Sequence, residues 1–304
     1  MQLKIKNISI LFKVTFKEWM QKDPFRQSAV IAYYAVFSIP GLMFLIITIA
    51  GYFFNKETVN QNISLEISRT MGAAIADQIK GILISAGHVK STVSGSVIGS
   101  IILLVGATGV FVELQKTMNM IWKVKVLHQT GIWPILKARL FSFGLILAIA
   151  FLLLISLVIS TALAAMSNWM KGDASNLSAT LFGIFNFIFS LSVISALFAL
   201  MFKYLPDAKI KWKHVWFGAI VTGVLFTIGK TTLAFYFGTA NPASAYGAAG
   251  SVILILLWVS YSSMIMFFGA EFTFTYANMY SGKVAPSEIA KAVTPAKSKE
   301  NELC

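Results

Sequence analysis

Two ionisable side chains lie inside long apolar stretches of this chain, where a charge is best placed to do chemistry. Lys230 interrupts an otherwise charge-free stretch over residues 215–237, and Glu271 is the first charged residue in the run that opens at Tyr246. Charged groups at membrane depth are costly and commonly mark ion, proton or substrate sites. At about 1.5 Å per helical residue, the two charges lie near opposite ends of their helices, so we do not expect them to pair directly.

Lys230 has two interpretations, which the sequence leaves open. Either its ammonium group snorkels to the outer interface, or it lines a polar cavity with Tyr33, Tyr34 and Tyr236. The second interpretation makes these four residues a candidate transport site. Pro40 follows the tyrosine pair and can bend their helix, which would free backbone carbonyls at membrane depth.

Glu271 is predicted to lie at the same depth in the membrane as several polar residues near the ends of other spans. The distances of these residues from the span ends place them in one cytoplasmic polar cluster, which comprises Asp23, Arg26, Glu113, Gln115, Asn119 and Glu271. We expect Arg26 to form a structural ion pair with one of the carboxylates. The other acidic groups are then uncompensated, which is typical of a proton- or cation-binding site.

Catalytic motifs are not visible in the sequence. The three histidines, His88, His128 and His214, are scattered, and no group of His, Asp and Glu has metal-ligand spacing. The single cysteine, Cys304, excludes a thiolate metal cluster within one chain. We therefore predict no cofactor, no metal and no enzymatic activity.

Six long apolar stretches position these residues. The chain is 57% hydrophobic and 12% charged, which is more apolar surface than one globular core can bury. A helix of roughly 20 apolar residues crosses a bilayer core of about 30 Å. The predicted fold is an all-α polytopic membrane bundle, with a cytoplasmic amphipathic segment over 1–22 and a cytoplasmic tail over 281–304. Its single membrane domain over 23–280 contains six spans, at about 28–54, 92–112, 140–166, 178–202, 215–237 and 247–272.

Basic residues are distributed unevenly among the segments between the spans. Nineteen of the 25 Lys and Arg residues lie in the N-terminal segment, the second and fourth loops and the tail, and five lie in the other loops. The positive-inside rule therefore places both termini in the cytoplasm. We assign the net charge of +13 to topology and to anionic membrane lipids, and not to nucleic acid.

Two segments outside the spans are amphipathic. Ile5, Ile8, Phe12 and Trp19 fall near one face of a helix whose other side carries lysines, which predicts an interfacial helix on the anionic inner leaflet. The first outer loop, residues 56–90, repeats the pattern with isoleucines about four residues apart. We interpret both as helices that rest on the membrane and pack on the bundle. The alternative for the outer loop is a binding site for envelope proteins.

Short motifs follow one another in a recognisable order. Those of the first half are Asp23, Arg26, Ala32-Tyr33-Tyr34, Phe37-Ser38-Ile39-Pro40, Gln115, Asn119 and Ile121-Trp122. Those of the second half are Leu205-Pro206, Gly218-Ala219, Gly229-Lys230, Tyr236, Tyr246-Gly247, Leu257-Trp258, Tyr261 and Gly269-Ala270-Glu271. As a set over about residues 15–280, they resemble the YihY/BrkB family of bacterial inner-membrane proteins, formerly labelled ribonuclease BN.

The resemblance implies a multi-pass protein of the bacterial inner membrane with six helices and both termini inside, but no settled activity. Our leading hypothesis is a protein that moves or inserts an envelope component, either lipid-like or ionic. The alternative is a non-catalytic membrane scaffold for envelope biogenesis. A ribonuclease comes third, because the sequence shows neither metal-binding carboxylates nor a general acid and base on a surface that RNA could reach.

Overall fold

The computed structural model describes residues 5–53, 65, 68, 76–77, 81, 93–126, 176–240, 242, 246, 249–281, 285–287 and 290–292. These residues form the helices α1 (Ile5–Met20), α2 (Pro24–Phe53), α3 (Val93–Ile121), α4 (Asn176–Tyr204), α5 (Trp212–Ala240) and α6 (Gly250–Ser281). The span predicted over 140–166, most of the first outer loop and the end of the tail lie outside the described residues.

The five long helices follow the predicted spans. α2 to α6 contain 29 to 32 residues each and include the spans expected near 28–54, 92–112, 178–202, 215–237 and 247–272 almost entirely. Within the described part of the chain, three stretches are long and apolar enough to cross a membrane: Gly183–Tyr204, Trp212–Ala240 and Val252–Tyr280. The prediction of a helical protein with apolar, membrane-length helices is therefore confirmed at this level.

α6 is the helix around which the described bundle is assembled. It packs against α1, α2, α3 and α5, while α4 packs on α5 and α3 packs on α2. The main apolar core is fully buried at Met118, Phe202, Val215, Phe267 and Ala270. These residues lie where α3 and α4 end and α5 begins. We call this the basic end of the bundle, because lysines surround it.

α5 and α6 contact each other at a sequence motif that both helices contain, Gly-Ala-x-x-Thr. A Cβ atom added at Gly218 would lie 1.8 Å from the Oγ1 of Thr273, and one added at Gly269 would lie 1.9 Å from the Oγ1 of Thr222. Each threonine hydroxyl donates a hydrogen bond of 2.7 Å to the carbonyl of the glycine four residues earlier on its own helix. The reciprocal contacts show that the helices are antiparallel, and small residues let their backbones approach closely.

Four short strands join the tail to two loops, a feature that the all-α prediction did not include. β1 (Val124–Val126) pairs with β4 (Ala290–Ala292), and β2 (Ala208–Lys209) pairs with β3 (Ala285–Pro286), both antiparallel. The tail thus supplies hydrogen-bond partners for the backbone of the loops after α3 and α4. Residues this distant in sequence give no local signal of pairing, which explains why the strands were not predicted.

Candidate functional site

Glu271 carries the one fully buried carboxylate among the described residues, with 0% of its side chain exposed. Its Oε2 atom accepts a hydrogen bond from the Nζ of Lys22 at 2.5 Å. Lys22 lies in the turn after α1, and its side chain is 15% exposed. The contact is therefore a charge-assisted hydrogen bond between the end of α1 and the interior of the bundle.

The face of α1 that packs on α6 places Lys22 at this carboxylate. Leu11 and Thr15 are fully buried, and the ring of Trp19 meets that of Phe268 edge-on with 5.7 Å between centroids. Side chains three or four residues apart share one face of a helix. Lys22 follows Trp19 at that spacing, so the packing of α1 directs its ammonium group toward α6.

An aromatic ring and a carbonyl group also stabilise the Lys22 ammonium group. Its Nζ atom lies 5.6 Å from the centroid of the Phe274 ring and donates a hydrogen bond of 3.4 Å to the carbonyl of Ile121. The Nζ of Lys123 lies at the same distance from the Phe274 ring, and Trp122 meets that ring edge-on at 5.4 Å. Ring faces and helix C-terminal carbonyls both attract cations.

Lys123 also forms an ion pair at the rim of the site. Its Nζ lies 3.3 Å from the Oε2 of Glu18, and these side chains are 50% and 34% exposed. An exposed pair of this kind contributes about 0–1 kcal/mol. The rim pair therefore contributes little to the free energy of unfolding.

Several buried polar atoms at this place have no hydrogen-bond partner among the described residues. They are the Oε1 of Glu271, the indole nitrogens of Trp19 and Trp122, and the hydroxyl oxygen of Thr15. Leaving such a group unpaired costs about 1–3 kcal/mol. Glu271 therefore has the chemical capacity to take one further partner, either a proton, a water molecule or a small cation. We call Trp19, Lys22, Trp122, Glu271 and Phe274 the Glu271 site.

A second polar network lies at the same end and is centred on Asp207, in the loop between α4 and α5. The amide of Asn119 donates to the Asp207 carboxylate at 2.8 Å and accepts from the Asp207 backbone N–H at 2.8 Å. Gln115 donates to the same carboxylate at 3.3 Å, and the backbone N–H of Ser287 donates to the Asp207 carbonyl at 2.9 Å. Since every contact joins one element to another, this network holds α3, the loop and the tail together.

The residues predicted as one cytoplasmic polar cluster are therefore divided. Gln115 and Asn119 belong to the Asp207 network, and Glu271 belongs to its own site. Glu113 lies 3.4 Å from Lys116, one turn along the same helix. Asp23 and Arg26 are exposed.

The ion pair expected for Arg26 is not found among the described residues, and Lys22 is the cation that reaches a buried carboxylate. Asp23 has a φ of 49°, a left-handed conformation that aspartate tolerates better than most residues. Pro24 follows it as the first residue of α2. Asp23 therefore forms the turn that carries the chain from α1 into α2.

The predicted polar cavity is divided between two helix pairs. Tyr34 lies on α2 against Gly109 of α3, and Tyr33, 58% exposed, packs on Tyr34 with 5.6 Å between ring centroids. Lys230 and Tyr236 lie on α5, where Tyr236 is 47% exposed. α2 runs as a helix through Pro40 to Phe53.

Lys230 is partly buried and follows Gly229, which lies against Tyr261 of α6. Glu271 lies between the α6 positions that face Gly218 and Thr222 of α5. Lys230 is eight residues beyond Thr222, or roughly 12 Å along α5. The two charges are thus separated along the α5–α6 helix pair.

Two residues of these sites were not singled out from the sequence. Lys22 enters the sequence analysis only through the count of basic residues, and Asp207 does not enter it. The signal for Lys22 is its helical spacing from Leu11, Thr15 and Trp19, which share the buried face of α1. Asp207 is the one acidic residue between Lys203 and Lys213, in a loop that otherwise carries lysines.

Comparison with known proteins gives one family. The sequence profile described as Virulence factor BrkB matches residues 15–292. No solved structure matches the chain.

Its curated relatives are named UPF0761 membrane proteins. The one from Pseudomonas aeruginosa is 27% identical over 240 residues, which is 78% of this chain and 54% of the relative. The one from Verminephrobacter eiseniae is 26% identical over 74% of this chain and 51% of its own length. The one from Pasteurella multocida is 32% identical over 66% of this chain and 61% of its own length. The chain thus spans little more than half the length of these relatives.

Proposed function

Because the chain belongs to the BrkB family of membrane proteins, we propose that it moves or inserts an envelope component, lipid-like or ionic, across the bacterial inner membrane, and that Glu271 binds the cation or proton that accompanies this movement. The proposal includes a multi-pass topology with both termini in the cytoplasm. It also includes the absence of ribonuclease activity.

The observation that supports this proposal is the incomplete pairing of a fully buried carboxylate. One oxygen of Glu271 binds Lys22, and the other has no partner among the described residues. A buried charge without adequate compensation is strongly destabilising, so a purely structural role would favour an apolar residue or a fully paired carboxylate. Intramembrane carboxylates of this kind commonly serve ion or proton pathways.

The geometry suggests how binding could be coupled to movement. Lys22 belongs to the α1–α2 turn and is 15% exposed, whereas Glu271 belongs to the central helix and is enclosed. A proton or cation on Glu271 would replace the charge of Lys22, which could then turn toward water. The contact between α1 and α6 would loosen, so loading of Glu271 would alter helix packing at the basic end.

The test is transport by the full chain in liposomes. We expect faster movement of a fluorescent phospholipid analogue or of a small ion than in protein-free liposomes. Glu271→Gln should lower the rate by about tenfold or more, equivalent to about 1.4 kcal/mol in the barrier. Glu113→Gln is the matched control, because the ion pair of Glu113 in the described part of the chain is with Lys116 on its own helix.

Lys230→Met tests the second intramembrane charge in the same assay. If Lys230 lines the transport path, its replacement should lower the transport rate. If its ammonium group snorkels to the interface, the replacement should leave the rate unchanged. Wild-type rates for both Lys230→Met and Glu271→Gln would contradict a charged transport path.

The scaffold hypothesis has a different signature. Wild-type protein would move neither lipid nor ion, yet deletion within residues 56–90 would abolish function in cells and that loop would crosslink to envelope proteins. RNA incubated with purified protein and Mg²⁺ should stay intact. Cleavage that disappears in Glu271→Gln would instead support the enzyme.

A further inference from the structure

α1 presents to its surroundings a face that is apolar and basic together. The side opposite α6 exposes four large apolar residues, by 37% to 55%. Two exposed lysines lie among them on the same side of the helix. The members of this outward face are Ile10, Lys13, Val14, Phe16, Lys17 and Met20.

The length of α1 limits where this face can lie. Its 16 residues extend roughly 24 Å, which is less than the bilayer core of about 30 Å. Its other face already packs on α6 through Leu11, Thr15 and Trp19. α1 therefore cannot cross the membrane as a separate span, and its apolar side chains need a cover that is partly polar.

The position of α1 relative to the start of α5 is set by Phe272 of α6, whose ring contacts aromatic rings of both helices. The ring of Phe12 lies 5.1 Å from that of Phe272, and Phe217 of α5 lies 5.8 Å from the same ring. Next to Phe217, the first turns of α5 expose Trp212 by 41% and Trp216 by 44%. Tryptophans concentrate at the boundary between lipid tails and headgroups. α1 and these tryptophans thus lie at one membrane interface.

We propose that the outward face of α1 binds anionic phospholipid of the adjacent leaflet. Lys13 and Lys17 contact the phosphate headgroups, while Phe16 and Met20 enter the acyl chains. The two lysines favour this occupant over an apolar protein helix. A helix without charges would leave both lysines unpaired, whereas anionic headgroups attract them. This inference goes beyond the transport function, and it holds equally for a transporter or a scaffold.

The first experiment measures the environment of α1 in the full chain. Cys304→Ser removes the natural thiol, and Phe16→Cys carries an environment-sensitive fluorophore in nanodiscs that contain phosphatidylglycerol. We expect a blue-shifted emission that lipids with brominated acyl chains quench. Lys116→Cys is the control, since Lys116 is 68% exposed on α3. Water-like emission at both positions would overturn the proposal.

The second experiment tests the lipid charge. Short-chain phosphatidylglycerol is titrated against the labelled protein in detergent, with phosphatidylcholine and inorganic phosphate as comparisons. We expect a preference for phosphatidylglycerol that falls roughly fivefold for each of Lys13→Gln and Lys17→Gln, with no response to inorganic phosphate. Lys116→Gln should keep the preference. Equal affinity for both lipids, or crosslinking of residue 16 to a second copy of the chain, would refute the assignment.

Discussion

Glu271 and Lys22 differ in their access to water, and this difference determines the cost of removing either one. Glu271 is enclosed by α6 and its neighbours, whereas Lys22 keeps 15% of its side chain exposed. If Glu271 is lost, the ammonium group can turn to solvent. If Lys22 is lost, the enclosed carboxylate must either stay charged without a partner or take up a proton at a pH where an exposed carboxyl group is ionised, and both are costly.

At the residue scale we therefore expect Lys22→Met to cost about 3–5 kcal/mol of unfolding free energy and Glu271→Gln to cost less. Since the cost arises from an uncompensated charge, the double variant should be more stable than the sum of the single effects predicts. Reversible unfolding in mixed micelles measures all three. Lys123→Met is the control, because the rim pair with Glu18 is exposed. Equal losses for Lys22→Met and Lys123→Met would contradict the prediction.

At the element scale, the Gly-Ala-x-x-Thr crossing holds α5 and α6 close together. The helix that carries Glu271 is thereby fixed on two sides, by α5 through this crossing and by α1 through aromatic contacts. Close backbone approach requires glycine at Gly218 and Gly269, because a side chain there would meet a threonine of the other helix.

We expect Gly218→Ala to destabilise the bundle by about 1–3 kcal/mol, the usual cost of overpacking. The added Cβ would lie 1.8 Å from Thr273 Oγ1, so the helices must separate or the threonine must rotate and lose its hydrogen bond. Gly238→Ala on the same helix is the control, since nothing lies within 4 Å of its added Cβ. That change should be neutral or stabilise the helix by up to about 1 kcal/mol. The measurement is thermal unfolding in detergent, and a Gly218→Ala protein as stable as wild type would disprove the tight crossing.

At the scale of the whole molecule, the basic segments meet at one end. Lys22 reaches the end of α3, the α4–α5 loop binds α3 through Asn119, and the tail pairs with both loops. The described parts of the four lysine-rich segments therefore share one side of the bundle. That side is the one to which the positive-inside rule assigns the cytoplasm.

The corresponding prediction concerns Cys304, the single thiol. With the basic end in the cytoplasm, a membrane-impermeant maleimide should leave Cys304 unlabelled in intact spheroplasts and should label it after lysis. A cysteine introduced at Lys116, which is exposed near the same end, should behave identically in a Cys304→Ser background. Labelling of either position from outside would overturn the six-span topology.

The sequence by itself determined the helical membrane fold, the approximate bounds of five helices and the separation of Lys230 and Glu271 along their helices. Each of these follows from properties read along the chain, namely runs of apolar residues, their length and the position of a charge within them. The BrkB family also followed from motifs in order along the chain.

Only the tertiary structure decided which groups meet. Lys22 and not Arg26 binds Glu271, Asp207 takes Gln115 and Asn119, and the tail pairs with the loops. Residues at one depth can lie on any side of a bundle, and the side depends on how each helix is rotated and what it packs against. That rotation is set by contacts such as the glycine–threonine crossing and the aromatic face of α1, which join residues far apart in sequence.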